Sequence, residues 1–231
     1  MSISLDEAVE LTRTGDVWVF RGRSVPDRAI QFTTNSPVNH VGMAVVLDDM
    51  PPLMWHAELG RSLPDLWSGT HQRGVQLHDL RDAVGVWANR YGQRAWLRQL
   101  DPPADGEMER AVLRTIARLD GTPFPSTAQL AWRWVRGRVP ALPLPGLPAL
   151  PRPGRPAPRS TPASSPGERD RALETAYCAE VVAVTYEAMG LLPAGRRPNW
   201  YDPGRFWSGD DLGLVADARL GSEIEVRVPP R

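Results

Sequence analysis

Apolar residues along the first half of the chain recur in two rhythms, one helical and one extended. Residues 4–13 read as a short helix. Ser4 with Glu7 forms a capping-box pattern, and Leu5, Ala8, Val9 and Leu11 supply one apolar side. Thr14-Gly15-Asp16 then turns the chain into a β-branched and aromatic strand, Val17-Trp18-Val19-Phe20. A second short helix is expected over residues 25–33, followed by a loop at Asn35-Ser36-Pro37. His40 to Leu47 alternates as a strand, with His40, Gly42, Ala44 and Val46 on one face and Val41, Met43 and Val45 on the other. A polar turn, Asp48 to Pro52, leads to a returning strand, Leu53 to Leu59, on which Met54, His56 and Glu58 share a face. Residues 74–78 and 94–100 read as further strands, and residues 105–119 as an amphipathic helix with Met108, Val112, Leu113, Ile116 and Leu119 inward. Residues 130–135 are expected to add a helical turn or two, and residues 223–228 a closing strand. The expected class is α+β, a small antiparallel sheet or barrel packed against helices.

Between residues 139 and 167 the pattern breaks. Proline recurs too often for helix or sheet, because it lacks the backbone donor and fixes φ. This stretch is expected to be a disordered or extended surface insertion in an otherwise single domain of 231 residues. Helical spacing returns over residues 168–190, where Cys178, Val181, Val182, Thr185, Tyr186 and Met189 lie close to one stripe that Gly190 ends. An aromatic loop follows, from Asn199-Trp200-Tyr201 to Phe206.

Composition narrows the function classes. With 27 basic and 27 acidic residues the net charge is zero, so no global field favours nucleic acid or an anionic membrane. The single cysteine excludes an intramolecular disulfide, and the four histidines lack the linear spacing of a zinc motif. No apolar run approaches the ~20 residues of a membrane-spanning helix. Met1 to Glu7 shows neither a basic n-region nor an apolar h-region, so a cytoplasmic location is the expectation.

Two distant segments carry candidate chemistry: Asn39-His40-Val41-Gly42-Met43 and Tyr177-Cys178-Ala179-Glu180-Val181-Val182. A lone cysteine is commonly a small buried hydrophobe. It becomes a nucleophile as a thiolate, favoured by a helix N-terminus and an adjacent imidazole. A helix starting near Ala176-Tyr177 would place Cys178 at the positive end of the dipole, whereas a start at Glu168 would leave it mid-helix.

The order of these parts resembles the circularly permuted NlpC/P60 papain-like group, in the YiiX/YebB-like branch related to lecithin:retinol acyltransferase. Gly15 to Phe20 is similar to the family's opening strand, and Ala29 to Met43 to its helix, turn and SHVG strand. Gly74-Val75-Gln76-Leu77 is similar to its GV strand, Tyr177 to Val182 to its nucleophile helix with alanine in place of the usual serine, and Asn199 to Phe206 to its closing segment. The resemblance spans nearly the whole chain and implies Cys178 as nucleophile and His40 as general base. The residue orienting His40 would be His56, where the family commonly has glutamate, with Glu58 as the alternative. An acyl-enzyme on Cys178, formed from an amide, ester or thioester of a peptide-like or lipid/acyl substrate, would need no metal or organic cofactor. Hydrolase and acyltransferase outcomes are both open at this point. The competing readings are a catalytically silent papain-like module that binds a peptide or lipid head group, and an adaptor acting through the proline-rich insertion. His71 and His78 are expected to be packing residues, and the tryptophans to be core and rim, with a cleft wall beside His56 as the alternative for Trp55.

Overall fold

The computed structural model describes residues 2–22, 37–58, 60, 62–121, 178–196, 200–208, 211–215 and 217–230. The helix expected at 25–33, the turns at 130–135 and the proline-rich stretch 139–167 lie outside them.

The architecture is mixed α+β. The strands among the described residues are β1 (Ser2–Ser4), β2 (Val17–Arg21), β3 (His40–Val45), β4 (Leu53–Glu58), β5 (Gly74–Asp79), β6 (Arg94–Arg98), β7 (Leu100–Asp101), β8 (Arg219–Leu220) and β9 (Ile224–Arg227). The helices among the described residues are α1 (Leu5–Leu11), α2 (Leu80–Tyr91), α3 (Gly106–Leu119) and α4 (Cys178–Ala188), with a 3₁₀ turn at Pro203–Phe206. Seven strands make one sheet in the order β1-β9-β6-β2-β3-β4-β5, while β7 and β8 pair separately. The expected barrel is corrected by this order. Among the described residues β1 and β5 are two open ends, each with one partner, and β1 runs parallel to β9, so the sheet is neither closed nor wholly antiparallel.

Side-chain alternation sorts the core into two layers. Val17, Val19, Val41, Met43, Val45, Trp55 and Leu77 face α3 and α4, joined by Cys178, Val181, Val182 and Tyr186. Trp18, Phe20, Ala44, Met54, Ala95 and Leu97 face α1 and α2, joined by Leu80, Ala83, Val84 and Trp87. Burial on both faces supplies most of the driving force for the sheet.

Local chemistry fixes the helix ends. Ser4 and Glu7 complete the capping box of α1. Asp79 caps α2 through the Asp82 N–H, and Gly92 ends it in the left-handed conformation. Asp105 accepts from the Glu107 and Met108 amides to start α3. Beyond α4, Gly190 (φ 76°) reverses the chain, and Leu191 N–H bonds back to the Tyr186 carbonyl. Asp16, in the turn before β2, accepts from the Arg13 and Leu100 amides at 2.8 Å each. Among the described residues no helix is long and apolar enough to cross a membrane.

Candidate functional site

The strand register places three imidazoles on one face of the sheet. Met43 pairs with Trp55, so His56 falls opposite Gly42, and Gln76 pairs with His56 on the far side. His40 opens β3, His56 lies in mid β4 and His78 in β5, all pointing toward α2. Gly42 makes the arrangement possible: a Cβ there would stand 3.3 Å from the His56 Cβ and collide with Met54.

The rings form a continuous hydrogen-bonded chain. His40 Nε2 lies 3.1 Å from His56 Nδ1, His56 Nε2 lies 3.1 Å from His78 Nδ1, and His78 Nε2 lies 3.2 Å from Gln76 Oε1. The direction of the protons follows from the far end. Gln76 donates its amide to the Gln72 and Gly74 carbonyls at 3.1 and 3.3 Å, so its Oε1 must accept. His78 therefore carries its proton on Nε2, His56 donates from Nε2 to the bare Nδ1 of His78, and His40 donates from Nε2 to His56. His40 is left with a lone pair on Nδ1, and among the described residues nothing hydrogen-bonds that atom. Trp87 of α2 covers this line, with ring centroids 5.0 Å from His40 and 4.8 Å from His56, both edge-to-face.

Burial keeps the chain neutral. His56 is 0% and His78 1% exposed. His40 is pushed down to about 4 by burial and by the nearby His78, and His56 is held well below the usual imidazole value for the same reasons. Burial also lowers His78, against the opposing pull of Glu58 and Asp65.

Of the two expected orienting residues, His56 contacts His40. Glu58 instead accepts from the Ser62 amide and, at 2.6 Å, from its hydroxyl. His78, set aside in the sequence reading as a packing residue, extends the chain by a third ring. The signal was its place on the same strand face as Gln76, which matters only once β5 is paired with β4. Trp55 does not wall a cleft: it is fully buried on the opposite face and donates to Thr185 Oγ1 at 3.1 Å.

Cys178 is the first described residue of α4 and packs in the layer facing Val41 and Met43. The Val41 amide, the Ala179 amide and its own N–H favour the thiolate, whereas burial pushes the thiol up to about 12. Whether the helix begins near Ala176-Tyr177 or at Glu168 falls on residues outside those described. The expected direct thiol–imidazole contact is absent. No hydrogen bond joins Cys178 to His40, whose ring packs on Phe20 and Trp87 in the other layer. The two segments do meet at the His40–Val41 peptide, whose N–H reaches the sulfur. With the imidazole low and the thiol high, both groups rest uncharged at neutral pH, in place of the expected thiolate–imidazolium pair.

The histidines also correct the view that no metal-ligand spacing exists. Ligand atoms of His56, Glu58 and His78, drawn from adjacent strands, all lie within 4.8 Å of one another. Linear spacing could not reveal a set assembled across a register.

No protein-family model matches this chain, and none of the curated proteins does. Among solved structures the chain is similar to the metalloprotein yiiX from Escherichia coli O157:H7, at 19% identity and a TM-score of 0.45, over 76% of this chain and 65% of that one.

Proposed function

We propose that the chain is a cysteine-dependent hydrolase or acyltransferase of the permuted NlpC/P60 papain-like kind, in which Cys178 attacks an amide, ester or thioester carbonyl. The observation that carries this reading is the directed imidazole chain. It leaves His40 with one basic nitrogen at the strand start whose next amide meets the Cys178 sulfur. His40 acts as general base and His56 as the residue that sets its tautomer, in the manner of a third triad member. Because thiol and imidazole both rest neutral, the proton leaves Cys178 as the sulfur attacks. For this chemistry the His40 ring must come within hydrogen-bond reach of Cys178, from which the sheet now separates it, the two joined through the His40–Val41 peptide. The Val41, Ala179 and Cys178 amides favour negative charge on the sulfur, which supports its role as nucleophile.

A second reading is favoured by one observation, the buried thiol raised to about 12: a papain-like module that binds a peptide or lipid head group without chemistry. The test is acylation by p-nitrophenyl acetate and by a short acyl thioester, read by intact mass and peptide mapping. The enzyme reading expects one acyl group on Cys178, released on turnover, slowed by ~10²-fold or more in His40→Asn and absent in Cys178→Ala. Folded wild-type protein that acquires no acyl group from either reagent, or acquires it equally fast in His40→Asn, overturns the enzyme reading.

A further inference from the structure

Glu58 and the two inner imidazoles do not take part in the acyl chemistry directly, yet they converge. We propose that His56, Glu58 and His78 form a site for a divalent cation of the zinc class, and that loading this site switches off His40 by reversing the proton order of the imidazole chain.

The donor set is two imidazoles and one carboxylate, which suits zinc and its late first-row neighbours and not magnesium or calcium. The distances are close to those a metal imposes. Zinc–nitrogen bonds of about 2.0–2.1 Å at a tetrahedral angle set the two nitrogens roughly 3.3 Å apart. His56 Nε2 and His78 Nδ1 already lie 3.1 Å apart. Loading needs both rings to turn so that their lone pairs meet beside the N···N line, with little change in separation. Glu58 is held on β4 by two hydrogen bonds from Ser62, the kind of outer support that fixes a ligating carboxylate. Asp65, fully buried, adds a second negative group near His78. Both rings are closed to solvent, and Glu58 is partly exposed.

The switch follows from counting protons. Without metal, Gln76 imposes a proton on Nε2 of all three rings. His78 already presents a bare Nδ1, so it binds the cation and keeps its bond to Gln76. His56 must present Nε2 to the cation, so its proton moves to Nδ1. That nitrogen faces His40 Nε2, and two donors cannot share one hydrogen bond; the His40 proton therefore moves from Nε2 to Nδ1. Each ring keeps one proton, none is released, and two rings have changed sides by exchange with water. His40 then presents an N–H where it previously held a basic lone pair.

The inhibitory half of this proposal rests on the reading of His40 as general base; the metal site and the tautomer reversal do not. The experiment is zinc titration of the full chain, followed by calorimetry and by ¹⁵N–¹H correlation of the histidine rings, with cobalt absorption as a check on donor geometry. We expect one zinc per chain and a His40 pattern that changes from bare Nδ1 to bare Nε2. Glu58→Gln, which keeps an acceptor for Ser62, should weaken binding about tenfold or more, as should His78→Gln. Binding that is absent, or unchanged in both variants, overturns the site. Zinc bound with an unchanged His40 tautomer overturns the switch. Acylation of Cys178 that is lost with zinc and restored by chelator supports the inhibitory role. If Cys178 never acylates, with or without chelator, the enzyme reading fails while the ring spectra still decide the metal site.

Discussion

Replacing Gly42 with alanine would add a methyl group inside van der Waals contact of Met54 Sδ, 3.2 Å from Met54 Cγ and 3.3 Å from His56 Cβ. The thioether end of Met54 is flexible, but it is fully buried in the layer with Trp18, Leu80 and Val84. The His56 Cβ is fixed to the β4 backbone. Overpacking of this kind costs about 1–3 kcal/mol. Against it, alanine recovers roughly 0.5–1 kcal/mol by restricting the unfolded chain. Gly42 has no left-handed backbone that would add strain. The expected net loss is about 1–2 kcal/mol. Urea unfolding followed by tryptophan fluorescence would measure it, on wild type, Gly42→Ala, Met54→Val and the double variant. Met54→Val removes the sulfur and terminal methyl, so the double variant should be more stable than the summed single costs by about 1 kcal/mol. A Gly42→Ala protein as stable as wild type, or costs that simply add, would refute the claim that this glycine exists to let His56 pass.

Three further outcomes are expected. Asp16 is fully buried and its carboxyl is raised from 3.8 to about 6, so between those values the folded chain holds a proton that the unfolded chain has lost. Stability from this group is present below pH 3.8 and lost as pH rises through about 6, by about 3 kcal/mol in total; Asp16→Asn should flatten that fall, and parallel pH profiles would contradict it. Arg98, 7% exposed, donates to the Gly221, Phe206 and Leu220 carbonyls at 2.7, 2.6 and 3.0 Å, so Arg98→Met should cost about 2–4 kcal/mol in denaturant unfolding. Tyr186→Phe removes the 2.5 Å bond to the Gly15 carbonyl and should cost about 1–2 kcal/mol, with no effect on zinc binding measured in parallel.

Much of the fold was readable from periodicity, because strands buried on both faces and a capped amphipathic helix leave strong local signals. What was missed was mostly non-local. Residues 80–91 carry Leu80, Ala83, Val84 and Trp87 at helical spacing between Asp79 and Gly92, but Gly85 and two valines weaken the helical propensity and the segment was passed over. With it went Trp87, the cover over two imidazoles. The three residues of β1 read only as the approach to a helix cap, since their parallel partner lies at the far end of the chain. At the site, His56 was legible beside Ala57, but His78 needed the pairing of β4 with β5. The separation of Cys178 from His40 was partly legible. Alternation puts His40 with Gly42 and Ala44, and an apolar helix such as α4 packs on the Val41, Met43 and Val45 side. What alternation does not convey is how far burial outweighs the neighbouring amides at the sulfur.

The position of β9 between β1 and β6 bears on how the chain is made. Synthesis proceeds from the N-terminus, so β1 and β6 leave the ribosome long before the strand that joins them exists. During that interval one side of β6, with Ala95, Trp96 and Leu97, is an unpaired edge capable of recruiting the same segment of a neighbouring nascent chain. Insertion of β9 seals it. A truncation that stops short of residue 224 would therefore leave a standing template for self-association, and crowded polysomes are where that hazard would first be felt.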